Sequence, residues 1–192
     1  MQIEICFHMK RRIGAVVIAL GLVAAVYAVS TYLSISNKEN QVYALWAEVE
    51  QTCFDKIRII NDIVVTTKNM PHNEELFDNL KKTLAETTEC IVGADKLTKD
   101  GFAKFIKSQD AVNIALYDYM AGESWATTPE MKKKKTEIND LDNRISVEIE
   151  NYSNGANDFN TYISRIRHKY IARVGGFKTK YCPKSPDKTI VE

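Results

Sequence analysis

The spacing of apolar residues divides the chain into one uncharged segment and a series of amphipathic helices. Residues 13–33 contain no charged side chain. As a helix rising about 1.5 Å per residue they would cover roughly 32 Å, enough to cross the hydrocarbon core of a bilayer. After this segment, apolar residues recur at steps of three and four, which indicates helices with one buried face. No stretch alternates with a period of two over enough residues to indicate a strand.

Four amphipathic helices are predicted after the uncharged segment. The first ends at a break around Pro71, and Asn73 can cap the second. The third starts after Gly101, and the fourth starts at Pro129, behind a threonine cap, and is expected to reach Tyr170 without interruption. The apolar stripes consist of Val42, Trp46, Val49, Cys53, Ile57, Ile60 and Val64; Phe77, Leu80, Leu84, Thr87 and Ile91; Phe102, Phe105, Gln109, Val112, Leu116 and Tyr119; and Ile138, Leu141, Ile145, Ile149, Tyr152, Ala156, Phe159, Ile163, Ile166 and Tyr170.

Short connections between the four helices favour antiparallel neighbours. The predicted fold is therefore all-α, with a single N-terminal transmembrane helix followed by an up-and-down four-helix bundle. The chain divides into a short N-terminus (1–12), the anchor (13–33), the bundle (34–170) and a basic C-terminal tail (171–192). Because the fourth helix returns toward the anchor, we expect the tail to end beside the point where the anchor leaves the membrane.

Charges beside the uncharged segment predict its orientation. Lys10, Arg11 and Arg12 precede it, and Lys38 is the only basic residue in the stretch that follows until Lys56. The positive-inside rule then places the N-terminus in the cytoplasm and the bulk of the chain outside, with the anchor in the cytoplasmic (inner) membrane. The alternative is a cleaved signal peptide, although the apolar run exceeds the usual h-region of about 7–15 residues.

Composition narrows the classes of function. The 192 residues carry a net charge of +1, which argues against nucleic acid as a partner of the whole surface. Three histidines are too few for a multi-histidine metal site, and we expect all of them on the surface. The sequence contains no zinc-protease, phosphate-loop, nucleophile-elbow or CxxC motif. We therefore expect no enzymatic activity, no cofactor and no metal.

Two cysteines are candidates for a disulfide. Cys53 and Cys90 lie at similar distances on either side of the predicted break around Pro71. Antiparallel helices would bring them to the same height, and outside the cytoplasm such a pair can oxidise if the Cα atoms lie within about 7 Å. The alternative is two small buried side chains.

Basic residues concentrate at the C-terminal end. Residues 164–192 hold eight basic and two acidic side chains, whereas residues 37–163 hold 15 basic and 22 acidic ones. A polybasic stretch beside an anionic bilayer gains about 1 kcal/mol per residue. The side chains predicted to contact lipid headgroups are Arg165, Arg167, Lys169, Arg173, Lys178 and Lys180. The alternative is a solvated tail without contacts.

Short motifs in a fixed order resemble the LemA family. They are Tyr32-Leu33-Ser34, Val42-x-x-x-Trp46-x-x-Val49, Ile59-Ile60-Asn61-Asp62-Ile63-Val64, Asn143-Arg144-Ile145, Tyr152, Asn160-Thr161 and Gly176-Phe177-Lys178 followed by Tyr181. Asn61 stands where the family has proline, and the Phe-Pro pair expected after the long helix is absent. The resemblance implies a single-pass helical bundle without established enzymatic activity, acting in membrane organisation or envelope processes.

Together these features favour a structural protein. The first hypothesis is a membrane-anchored scaffold that binds a protein partner or self-associates outside the cytoplasm. The second is an extracytoplasmic sensor that signals through a separate membrane protein, because the predicted cytoplasmic part holds no output domain. An enzyme subunit or cofactor carrier is the third. Trp46, Phe77, Phe105 and Phe159 are expected in the core.

Overall fold

The computed structural model describes residues 2–183, with side chains from Gly14 onward. Throughout this range regular structure is helical and no strand occurs, which confirms the all-α prediction. The helices are α1 (Gln2–Thr67), α2 (Glu74–Glu89), α3 (Lys99–Met120), a single 3-10 turn (Ser124–Thr127), α4 (Pro129–Ser164) and α5 (Ile166–Val174). Helix α1 contains both the uncharged segment and the first predicted bundle helix.

The chain forms two compact units. Residues 2–39 and 159–179 make the N-terminal unit, and residues 40–158 and 180–183 make the bundle unit. Helices α1 and α4 each contribute one part to either unit.

The bundle unit is built around a continuous apolar core. Its members come from α1, α2, α3, the 3-10 turn and α4, so every helical segment of the unit buries one face. The cluster comprises Ile60, Ile63, Val64, Phe77, Leu80, Leu84, Val112, Ala115, Leu116, Tyr119, Met120, Trp125, Met131 and Ile138. Trp46, Phe77 and Phe105 are buried as predicted.

Helix starts in the bundle unit follow the predicted capping. The Asn73 side chain accepts hydrogen bonds from the backbone N–H groups of Glu75 and Leu76, and α4 begins at Pro129. Helix α3 starts slightly earlier than expected, because the Thr98 hydroxyl caps it by accepting from the Gly101 N–H. The predicted boundaries of these helices are thus correct to within a few residues.

The N-terminal unit has a small interior and a large apolar surface. Its buried side chains are Thr31, Ile35, Phe159, Ile163 and Ala172. The apolar side chains of α1 between residues 15 and 33 are mostly exposed. Among the described residues this is the one helix long and apolar enough to span a membrane, with a mean hydropathy of 2.2 in its most apolar stretch.

The prediction of one unbroken helix from Pro129 to Tyr170 is wrong. Helix α4 ends at Ser164, Arg165 takes an extended conformation with ψ of 139°, and α5 starts at Ile166. The His168 Nδ1 donates to the carbonyl oxygen of Tyr162, which in a continuous helix would accept from residue 166. This imidazole therefore closes the end of α4 and stabilises the break without a proline.

Helix α1 passes Asn61 without interruption. The family's proline at this position would remove one backbone N–H donor and bend the helix. Asparagine keeps the donor, so the helix continues to Thr67.

Candidate functional site

The predicted lipid-contacting residues are divided between the two units. Arg165, Arg167, Lys169, Arg173 and Lys178 lie on the N-terminal unit and are exposed. Lys180 belongs to the bundle unit, where its Nζ donates to the Tyr43 hydroxyl at 2.6 Å and lies 4.4 Å from the centre of that ring. Five of the six side chains are therefore exposed, whereas Lys180 is hydrogen-bonded within the bundle unit.

The glycine pair after α5 fixes the position of Phe177. Gly176 has a φ of 75°, which L-residues rarely adopt, and the Phe177 N–H donates back to the Ala172 carbonyl. A Cβ on Gly175 would lie 2.7 Å from the Phe177 ring and 3.0 Å from Tyr32. Both glycines are needed for the Phe177 ring to contact the Tyr32 ring, at 5.2 Å between centroids.

This aromatic contact joins the first part of the tail to α1. Tyr32 lies at the end of the uncharged part of α1, and Phe177 follows α5. The C-terminal segment therefore returns to the helix at the point where the apolar surface ends.

A second group of side chains surrounds Tyr162 in the N-terminal unit. The His168 ring stacks on it with 4.2 Å between centroids, and the Lys38 Nζ lies 5.0 Å from the ring centre. The Arg165 guanidinium lies 6.0 Å away. Cations are attracted to the face of an aromatic ring, so Tyr162 brings Lys38 and Arg165 together at the α4–α5 break, where the His168 ring also stacks.

A buried ion pair lies inside the bundle unit, and sequence reasoning missed it. The Lys56 side chain has no exposed surface, and its Nζ lies 2.6 Å from the Asp142 Oδ1 and donates to the Gln109 Oε1 at 3.2 Å. The Asn113 amide donates to the other Asp142 oxygen at 3.1 Å. A buried charge is tolerated only when it is paired and hydrogen-bonded, so these four residues act as one network.

Helices α3 and α4 form a groove of about 590 Å³ on the surface beside this network. Asn113 and Asp142 contribute to its polar part, while Ile114, Tyr117 and Met120 contribute apolar surface. The Asp142 oxygens are already bonded to Lys56 and Asn113. The groove therefore offers a mainly apolar surface without a catalytic arrangement of its own.

Trp46 lies at the centre of an aromatic group in the bundle unit, the Trp46 group, which also contains Phe105 and Tyr152. Its ring contacts the rings of Phe105 and Tyr152 at 5.6 and 4.9 Å, and its Nε1 donates to the Val92 carbonyl. The Tyr152 hydroxyl in turn donates to the Tyr181 carbonyl. Burial raises the pKa of Tyr152 to about 12. Trp46, Tyr152 and Tyr181 of the family-like motifs thus meet in one place and have structural roles.

The candidate disulfide between Cys53 and Cys90 is absent from the structure, where both thiols are free. The bond from Trp46 to the carbonyl of Val92 sets the register, and Val92 follows Cys90 by two residues. Cys53 lies about 10 Å beyond Trp46 along α1. Cys53 is fully buried, and this burial raises the pKa of its thiol to about 12.

His72 departs from the expected surface location of the histidines. Its side chain is only 4% exposed and packs against the rings of Phe77 and Tyr119 at 4.6 and 5.9 Å. Among the side chains that the structure describes, residues 14–183, no group of three or more His, Cys, Asp or Glu could hold a metal ion. His72 is accordingly part of the edge of the core.

Comparison with known proteins agrees with this architecture. The LemA family model matches residues 45–189, which is most of the chain. The family is not known as a family of enzymes. No curated protein and no solved structure matches the chain. With a matching family model and an all-helical fold that joins an apolar N-terminal helix to a packed bundle, the chain belongs to the LemA family.

Proposed function

We propose that this protein is a membrane-anchored helical scaffold of the cell envelope. Residues 13–33 span the cytoplasmic membrane, and the bundle unit presents its surface to protein partners outside the cytoplasm. The exposed apolar face of α1 carries the proposal: Val16, Leu22 and Val26 are all more than half exposed. In water such a surface would be unfavourable, whereas a bilayer would cover it.

The charges support the orientation and a second contact with the membrane. Lys10 to Arg12 would remain in the cytoplasm. The exposed basic side chains of the N-terminal unit would contact anionic headgroups, at about 1 kcal/mol each. They are Arg165, Arg167, Lys169, Arg173 and Lys178.

Thiol labelling tests the anchor and its orientation. Native Cys182 is a poor probe, because its Sγ donates to the Ser153 carbonyl, but Tyr117 is 65% exposed on the bundle unit. A membrane-impermeant maleimide, applied to cells with the outer barrier opened, should label Tyr117→Cys and spare Cys6. Lysed membranes provide the control, in which Cys6 is labelled. Labelling of Cys6 alone in sealed cells would show the opposite orientation. Recovery of the chain in the soluble fraction, without membranes, would refute the anchor.

Photo-crosslinking in cells tests the scaffold role. A photoreactive residue at Tyr117 or Val147, both exposed on the bundle unit, should give a reproducible crosslink to a distinct protein. The same residue at Val23, within the apolar part of α1, serves as the comparison. Crosslinks from the bundle to copies of the same chain would indicate self-association. Bundle positions that crosslink to no protein would contradict the scaffold.

The sensor is a second candidate because α1 is one continuous helix from the apolar segment into the bundle unit. A signal passing to another membrane protein would need contacts along that apolar segment. Crosslinks from Val23 to a different integral membrane protein would favour the sensor over the scaffold.

A further inference from the structure

Helix α5 carries an apolar stripe that is exposed among the residues that the structure describes. Ile166, Tyr170 and Val174 are 85%, 74% and 91% exposed. Residues four positions apart share one face of an α-helix, so the three side chains form a single row. Ala172 is buried, and at 100° per residue it lies on the opposite side. Helix α5 therefore packs against the protein with one face and presents apolar side chains on the other.

Basic residues border this stripe on both sides. Arg167 lies at one edge of the row, while Lys169 and Arg173 lie at the other, and all three are exposed. The sequence contains no acidic residue between Asp158 and Asp187. An apolar face bordered by Lys and Arg is typical of helices that lie in the interface of an anionic membrane.

Contacts within the N-terminal unit tie this helix to the apolar part of α1. The bond from the Phe177 N–H to the Ala172 carbonyl closes α5, and the Phe177 ring packs on Tyr32. Leu33, the neighbour of Tyr32, is still 54% exposed and is the last residue of the uncharged segment. The stripe of α5 is therefore held close to the end of a surface that itself requires lipid.

We propose that α5 is an interfacial membrane helix, which inserts Ile166, Tyr170 and Val174 between the headgroups and acyl chains of an anionic bilayer. The long stems of its Lys and Arg residues let their charges reach the phosphates while the apolar row is immersed. This inference rests on the proposed function, because it assumes that α1 crosses the same bilayer. The charges favour lipid over a protein partner as the surface that covers the stripe. Basic residues border the stripe on both sides, and a flat anionic membrane surface can contact both sides at once.

Depth-dependent fluorescence quenching tests the insertion. The full chain with Tyr170→Trp is reconstituted into vesicles of phosphatidylcholine and phosphatidylglycerol with brominated acyl chains. The parent chain supplies the background of Trp46 and Trp125, which are buried in the bundle unit. Trp at position 170 should lose most of its emission. The matched control Tyr117→Trp, at an exposed tyrosine of the bundle unit, should lose none.

Two further variants and a change of lipid test whether apolar insertion and attraction to anionic lipid hold α5 in the membrane. Replacing Ile166 and Val174 together by Asp should largely abolish quenching at position 170, because the stripe can no longer enter the acyl region. Ile114→Asp, at an exposed isoleucine of the bundle unit, should leave it unchanged. Quenching should also weaken in vesicles of phosphatidylcholine alone.

A second probe, Val23→Trp, distinguishes a failure of the spanning anchor from a failure of the interfacial helix α5. Quenching at position 23 without quenching at position 170 overturns the interfacial helix and leaves the anchor intact. In that case, a blue-shifted emission at position 170 would assign the stripe to a protein partner or a second copy. Quenching at position 170 without quenching at position 23 supports the membrane helix and refutes the spanning anchor.

Discussion

The Trp46 group in the bundle unit and the α5 stripe in the N-terminal unit both consist of large apolar side chains at helical spacing. Trp46 is 1% exposed and surrounded by other rings, whereas Ile166 is 85% exposed. Helical periodicity predicts an apolar face but not what covers it. In the bundle unit the cover is protein, and in the N-terminal unit we infer that it is lipid. The two regions should therefore respond differently to substitution.

The largest decrease in the free energy of unfolding is expected on substitution of Trp46. Trp46→Ala should lower the free energy of unfolding by about 3–5 kcal/mol, because it removes a fully buried ring and the bond to the Val92 carbonyl. Denaturant titration of the full chain in detergent micelles, followed by circular dichroism, measures the change. Tyr117→Ala is the control and should stay within about 0.5 kcal/mol. Equal losses in both variants would show that the bundle unit has no distinct core.

Breaking the Lys56–Asp142 ion pair should lower the free energy of unfolding slightly less than Trp46→Ala does. The decrease should differ between the two partners. Asp142→Asn leaves the Lys56 ammonium buried without its counter-charge and should cost about 3 kcal/mol. Lys56→Met should cost less, because the Asp142 side chain is 31% exposed and water can hydrate it. The double variant Lys56→Met with Asp142→Leu should recover most of the loss. The same denaturant titration ranks the three, and a larger cost for Lys56→Met would contradict the burial argument.

Alkaline pH should weaken the bundle unit. Burial raises the pKa of the Cys53 thiol from 9.0 to about 12, so the folded state keeps a proton that the unfolded state releases. Stability is therefore lost as pH rises through the interval between these values, by about 1 kcal/mol between pH 8 and pH 10. Denaturant titrations at both pH values measure the loss. Cys53→Ala should reduce it, whereas Cys90→Ala, which leaves Cys53 in place, should not.

The smallest effect is expected on α5. Ile166→Ser and Val174→Ser should change the free energy of unfolding in micelles by less than about 0.5 kcal/mol, because neither side chain is buried by the protein. The near-ultraviolet signal of the buried tryptophans reports the transition. A loss as large as that of Trp46→Ala would show that the stripe belongs to a protein core, and the comparison between the two regions would fail.

Much of the fold follows from local sequence signals. The side-chain caps Asn73 and Thr128 act over one helical turn, and the predicted starts of α2 and α4 are correct. The break at Arg165 was missed because it depends on the His168 ring bonding to the Tyr162 carbonyl, an interaction that no spacing rule contains. Because spacing alone does not show this break, Ile166 and Tyr170 were assigned to the apolar stripe of α4, although they lie on α5.

The buried network of Lys56 and Asp142 is visible in the spacing of the sequence. Steps of three and four continue from Cys53 to Lys56 and on to Ile60, so the lysine occupies a core position of α1. Asp142 stands in the same relation to Ile138 and Ile145 on α4. Two opposite charges on facing core positions predict a buried pair. Their mutual distance, however, depends on how α1 and α4 pack, which the sequence alone does not specify.

The Lys56–Asp142 pair also restricts how this part of the molecule can evolve. A lineage that replaces the pair with apolar residues must pass through a form with one charge left, and the two intermediates are unequal. Losing the lysine first leaves a carboxylate that water can reach, whereas losing the aspartate first leaves a buried ammonium without a counter-charge. Selection should therefore favour the order in which the lysine disappears first. Among relatives of this chain, an apolar residue at the position of Lys56 should coexist with a retained aspartate far more often than the reverse.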